Sequence, residues 1–152
     1  MDKTNPYMNT EPVSTSRKKI LVIDDNEMIL KAISMKLQSF GYQVFTALDG
    51  AEGIAAVRKI KPDLVLLDIA FPPDVSGMSW DGFRIMDWLH RADETQKIPI
   101  IVISGVVEEK YKQRAAASGA VAFFPKPLNF DEVFKVIGAA LATKVNKTPA
   151  PP

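Results

Sequence analysis

Five short apolar runs, separated by amphipathic stretches, limit this sequence to very few folds. The runs are Ile20–Ile23, Val44–Ala47, Leu64–Leu67, Ile100–Ile103 and Ala122–Phe124. They are rich in Val, Ile and Leu, and most are apolar at consecutive rather than alternate positions. Side chains on a strand alternate between faces, so such runs predict strands covered on both sides, as in a parallel sheet. The stretches between them carry helical spacing. Glu27 to Phe40 offers Ile29, Leu30, Ile33 and Leu37 and stops at Gly41, a residue suited to the position just past a helix end. Gly50 to Ile60 turns Ile54 and Val57 inward and ends at Lys61-Pro62. Asp81 to Arg91 offers Phe83, Ile85, Met86 and Leu89. Glu108 to Ser118 is the least apolar of the set, and Gly119 ends it. Asn129 can cap a last helix that presents Val133, Phe134, Ile137 and Leu141. Five strands alternating with five helices predict a doubly wound α/β fold with a parallel sheet. In such sheets functional groups collect beyond the carboxyl ends of the strands, near the topological switch point.

The length of 152 residues suits one hydrophobic core and not two. The receiving domain of this pattern is expected over 18–143. A polar extension with Pro6 and Pro12 over 1–17 reads as flexible, and the Lys-, Thr- and Pro-rich end over 144–152 as disordered. No DNA-binding or enzymatic output domain is expected after it. A net charge of +1 leaves no basic footprint for a nucleic acid or a membrane surface, so neither is expected as a partner. No apolar run approaches the ~20 residues that span a bilayer, and the first residues lack the apolar stretch of a secretory signal. The absence of cysteine excludes disulfides and thiolate metal sites. A cytoplasmic protein is the expectation.

The strand ends carry the chemistry. The first run ends in Asp24-Asp25, with Glu27 just beyond; the third ends in Asp68, the fourth in Ser104, and the loop after the fifth begins Lys126-Pro127. An acidic pair, a lone Asp or a Ser-Gly at a turn is ordinary when it stands alone. Together they bring three carboxylates, a hydroxyl and an ammonium to one edge of the sheet. Crowded acids repel unless a cation lies between them, and an all-oxygen set suits Mg²⁺ or Mn²⁺. The set Asp24, Asp25, Asp68, Ser104 and Lys126-Pro127 resembles the active site of response-regulator receiver domains. The surrounding Ile-Leu-Val-Ile-Asp-Asp, Leu-Val-Leu-Leu-Asp and Phe-Pro-Lys-Pro also resemble that family, and the likeness covers nearly the whole expected domain in the right order.

The resemblance implies the flavodoxin-like receiver fold and a stand-alone, single-domain phosphorylation switch of the chemotaxis-regulator type in a bacterial two-component system. Asp68 would accept a phosphoryl group from a sensor histidine kinase or a histidine phosphotransfer protein. Asp25 and Asp68 would ligate Mg²⁺ directly, Asp24 through water, and the backbone carbonyl of Ala70 would be the remaining protein ligand. Lys126 would pair with a phosphoryl oxygen, and Ser104 would move to hydrogen-bond the phosphoryl group. An aromatic residue on the fifth strand turns inward in the family when that hydroxyl shifts. Here the position is Phe123, with Phe124 pointing the other way, and the fourth helix, fifth strand and fifth helix would form the readout face. The expected product is a signal relayed or a partner protein controlled, by a monomer or weak dimer, rather than enzymatic turnover.

Two departures from the family stand out. The loop from Ile69 through Trp80 to Asp81-Gly82 is about six residues longer than usual, and could shape kinase docking or shield the phosphate. Ala70, two beyond the acceptor, and Val106, two beyond Ser104, lack the polar side chains that orient an attacking water in many receivers, which implies slow self-hydrolysis. A phosphatase with an aspartate nucleophile shares the Asp and Mg²⁺, but its second Asp would fall at Ala70. A flavodoxin-like electron carrier would need a phosphate-cradling loop where Asp24-Asp25 stand, and a phosphate-independent scaffold would usually have lost site residues. His90 reads as a surface residue, Trp80 and Trp88 as packing groups, and Arg17-Lys18-Lys19 as a solvated entry to the first strand.

Overall fold

Two strands are buried at every residue: β3 (Leu64–Asp68) and β4 (Ile100–Ser104). A third, β1 (Lys19–Ile23), is buried at all but its first. Burial at consecutive positions requires cover on both faces of the sheet, and helices supply it. The structure, a computed structural model, describes residues 17–69, 82–105 and 108–146. Among these, β2 (Gln43–Ala47) and β5 (Ala122–Pro125) complete a five-stranded parallel sheet in the order β2-β1-β3-β4-β5. One face packs Ile20, Val22, Leu64, Leu66, Ile101 and Ile103 under α1 (Glu27–Ser39) and α5 (Phe130–Asn146). The other packs Leu21, Ile23, Val65, Leu67 and Val102 under α2 (Gly50–Ile60), α3 (Gly82–Arg91) and α4 (Glu109–Ala117). This is the flavodoxin-like doubly wound arrangement expected from the sequence.

The chain runs from β1 outward to β2 and then crosses back past β1 to β3, so its direction of travel reverses between β1 and β3. The crevice of a doubly wound sheet opens there. Register sets the level of each strand end: Ile23 lies opposite Leu67, Asp68 opposite Ile103, and Ser104 opposite Pro125. The next residues, Asp24 and Lys126, therefore emerge on the same rim as Asp68.

Helix faces follow the expected periodicity with local exceptions. In α1 the buried set is Leu30, Ile33 and Leu37, while Ile29 is only half-buried. The helix ends at Phe40, and Gly41 takes φ +95 as the chain turns toward β2. In α2 the close contact is made by Gly53 rather than by Ile54, because α2 lies so near β1 that a Cβ at Gly53 would come 2.6 Å from Ile23 Cδ1. Phe123 and Phe124 do point to opposite faces of the sheet, both half-buried. His90 is not simply a surface residue: it is half-buried, its imidazole lying over Gly119, where the last turn of α3 meets the turn into β5. Trp88 is a packing group, half-buried with the Arg58 guanidinium 5.2 Å from its ring.

One boundary needs correction. The disordered end expected from 144 begins too early, since α5 runs to Asn146. Nothing before Pro149 removes a backbone donor, so the hydrogen-bond ladder continues through Ala-Thr-Lys-Val-Asn. The extension over 1–16 and residues 147–152 lie outside the described residues. Within α5, Gly138 has open space where a side chain would begin. Gly138→Ala is expected to raise stability by about 0.5–1 kcal/mol, through the smaller entropy lost on forming the helix. Urea unfolding should show a higher midpoint with an unchanged slope.

Candidate functional site

Asp24 is the most deeply held of the strand-end acids, with 0% exposure. Its backbone N–H donates to the Ala47 carbonyl at 3.1 Å, which fixes the strand end. Its Oδ1 accepts from the backbone N–H of Asn26 at 2.8 Å, and its Oδ2 accepts from Lys126 Nζ at 2.7 Å. Asn26 in turn caps α1, its side chain accepting from the N–H groups of Met28 and Ile29. The same short turn thus starts the helix and locks the carboxylate.

Asp68 is 3% exposed, and its Oδ2 accepts from the same ammonium at 3.1 Å. Asp25 is exposed. One carboxylate oxygen from each of Asp24, Asp25 and Asp68 can be chosen so that all lie within 4.8 Å of one another. Lys126 is carried to them by its own backbone, whose N–H donates to the Ser104 carbonyl at 2.8 Å, and it is followed by a cis peptide bond to Pro127. Burial alone would lower the Lys126 pKa. The hydrogen bond that Lys126 donates to Asp24 and the charges of Asp68 and Asp24 outweigh it, so the ammonium is held above the ordinary lysine value. Ser104 is fully buried at the end of β4, beside this group.

Three carboxylates against one ammonium leave a local excess of negative charge at the switch point. The donors are all hard oxygens, the set that a small divalent cation takes. Both oxygens of Asp24 already accept hydrogen bonds from the protein, which fits a carboxylate that reaches a cation through water. Ala70, Val106 and the long loop from Ala70 to Asp81 lie outside the described residues.

Two residues at this site were not singled out by sequence reasoning. Asn26 is one; its signal was an Asn directly before the first helical residue, a preferred cap position. Gly82 is the other. Its N–H donates to the Ile69 carbonyl at 3.2 Å, and a Cβ there would lie 2.5 Å from Ile69 Cα and 2.7 Å from the Asp68 carbonyl oxygen. The long loop therefore leaves at Ile69 and returns, at Gly82, onto the backbone of Asp68 itself. The Asp81-Gly82 pair was visible in the sequence only as a marker of loop length.

The sequence model of the response regulator receiver domain matches residues 20–138, most of the chain. The chain belongs to the receiver-domain family. Among relatives of this receiver, protein PilH of Pseudomonas aeruginosa is 32% identical over 124 residues, covering 82% of this chain and 98% of PilH. The transcriptional regulator RpaA of Synechocystis is also 32% identical, over 123 residues, but there the match spans only 48% of the relative. The solved structure of chemotaxis protein CheY4 from Vibrio cholerae superposes with a TM-score of 0.74 at 27% identity, covering 82% of this chain and 99% of that one. The receiver fold and membership of the response-regulator class follow from these likenesses and from the sheet order. No helix among the described residues is long and apolar enough to cross a membrane.

Proposed function

We propose that this receiver accepts a phosphoryl group on Asp68 from a phosphohistidine of a sensor kinase or histidine phosphotransfer protein. The observation that carries the reading is the meeting of Asp24, Asp25 and Asp68 at the switch point, with Lys126 paired to Asp24 and Asp68. An Asp68 carboxylate oxygen forms the new O–P bond while the P–N bond of the phosphohistidine breaks. The bonding pair stays with the imidazole nitrogen. Asp25 and Asp68 would hold Mg²⁺, or Mn²⁺ in its place, with Asp24 acting through water and the Ala70 carbonyl completing the protein ligands. When bound, the cation supplies neutralisation of charge on the phosphoryl oxygens. Lys126 then exchanges a carboxylate for a phosphoryl oxygen, and Ser104 donates its hydroxyl to another.

Support for a switch comes from α4, β5 and α5. Helix α4 buries only Ala115, and Glu108 at its start makes no side-chain cap, so the helix is lightly anchored. Phe123 on β5 packs beneath that face without a hydroxyl to fix it. A charge event at Ser104 and Lys126 can therefore bias a mobile surface read by a partner protein. For the donor, α1 offers Met28 and Met35 at 81% and 62% exposure, two turns apart on the helix that follows Asp25.

Intact mass after incubation with acetyl phosphate and Mg²⁺ tests the reading. The parent gains one phosphoryl group, and Asp68→Asn gains none, nor does the parent when the metal is chelated. An equal gain by Asp68→Asn overturns the assignment. No gain from either acetyl phosphate or a phosphorylated kinase gives the phosphate-independent scaffold its place. After donor removal the adduct persists well beyond seconds, because neither Ala70 nor Val106 can orient a hydrolytic water by its side chain.

A further inference from the structure

The two edges of the sheet are guarded unequally. The β5 edge is four residues long and ends in Pro125. Shortness and proline both stop an edge strand from pairing with another chain. The β2 edge has neither. It reads Gln-Val-Phe-Thr-Ala, without charge or proline, and its register against β1 runs unbroken from Lys19↔Gln43 to Ile23↔Ala47. Among the described residues no strand pairs with its outer side. Val44 and Phe45, both strong strand formers, are left half-exposed there.

This edge is also complementary to itself. Antiparallel pairing centred on Phe45 sets Val44 against Thr46 and Tyr42 against Leu48 on the α1 side of the sheet. On the other side it sets Phe45 against Phe45 and Gln43 against Ala47. Like charges never oppose each other, and an aromatic pair falls on the two-fold axis. Beside the strand, a groove of about 450 Å³ is lined by Glu27, Leu30, Lys31, Ser34, Thr46 and Leu48. Ser34 Oγ is buried there and has no hydrogen-bond partner among the described residues. The pairing brings a second copy's Tyr42 to Leu48 at the mouth of this groove, with a ring for the leucines.

We infer that two copies of this chain associate by antiparallel pairing of their β2 edges, which extends one sheet across both. The inference is independent of phosphorylation at Asp68. Sedimentation equilibrium of the full chain from about 10 μM to 1 mM, the range expected for an interface of this small size, reads the association. The parent shifts toward dimer, and Thr46→Lys, an exposed position on the edge, weakens it about tenfold or more. Because the chain has no cysteine, oxidised Phe45→Cys gives a disulfide-linked dimer. Gln43→Cys, whose partner in this register is Ala47, does not. Far-UV circular dichroism confirms that each variant is folded, and Thr46→Lys carries the test if Phe45→Cys is not. A parent that stays monomeric throughout, association unmoved by Thr46→Lys, or equal cross-linking at Gln43→Cys each overturns the pairing.

Discussion

Lys126→Met is expected to lower the unfolding free energy by about 3 kcal/mol, the low end of what removing one partner from a buried ion pair costs. The side chain keeps an unbranched apolar stem, one atom shorter, but loses the two contacts at 2.7 and 3.1 Å. Asp24, fully buried, and Asp68, nearly so, are then left facing each other with Asp25 within 4.8 Å. At an effective dielectric of about 20, two charges about 5 Å apart repel by about 3 kcal/mol. The low end applies because Lys126 is 19% exposed, so water enters when the ammonium leaves.

The cause is testable by a second change. Asp24→Asn on the Lys126→Met background recovers most of the loss, since it removes the carboxylate that the lysine neutralised. The parent should also show a pH dependence that Lys126→Met lacks. The folded-state pKa of Lys126 is raised, so its contribution is complete below the unfolded value of about 10.4 and fades as pH rises through the folded one. Urea titrations of parent, single and double variants across pH 8 to about 12 measure both effects. A loss under about 1 kcal/mol with no coupling to Asp24→Asn would mean that the ion pair is not what holds this rim together.

How far the sequence could be read depended on what kind of signal each feature leaves. Strands β1, β3 and β4 were legible almost to the residue because continuous burial leaves continuous apolar runs. That β2 and β5 are the edges was not legible, since Val44–Ala47 and Ala122–Phe124 look like the others and strand order is set by crossovers, not composition. The approach of α2 to β1 at Gly53 and the packing of His90 over Gly119 were hidden because glycine has no hydropathy to contribute. The end of α5 was misjudged because lysine and threonine suggested a tail, while helix formation needs only the absence of a breaker. At the rim, Asp24, Asp25, Asp68, Ser104 and Lys126 could be grouped because each stands at or just past a strand end. Which acids Lys126 engages could not be read, and neither could the hold of Asn26 on Asp24, which runs through a backbone N–H that carries no residue label.

Gly82→Ala is expected to be the most damaging small substitution in the domain. A methyl group there would lie 2.5 Å from Ile69 Cα and 2.7 Å from both the Asp68 carbonyl oxygen and Ile69 Cγ2. Two of those three atoms are backbone, at and just past the end of β3 where Asp68 pairs with β4, so they cannot swing aside as a side-chain tip would. Replacing glycine by alanine within a helix gains up to about 1 kcal/mol, but overpacking of this kind costs about 1–3 kcal/mol and more where backbone must shift, so the clash wins. The same replacement at Gly138, with nothing to meet, has the opposite sign, and that contrast controls for helix propensity. The consequence at the site follows from where the strain goes. Relief requires Asp68 or α3 to move, and either re-aims the Asp68 carboxylate relative to Lys126. Displacements near 1 Å can reduce rates about a hundredfold, so phosphorylation by acetyl phosphate should fall by about tenfold or more even at temperatures where the variant is fully folded. Equal stability and equal rates for Gly82→Ala and the parent would show that Gly82 is not confined against the backbone of Asp68 and Ile69.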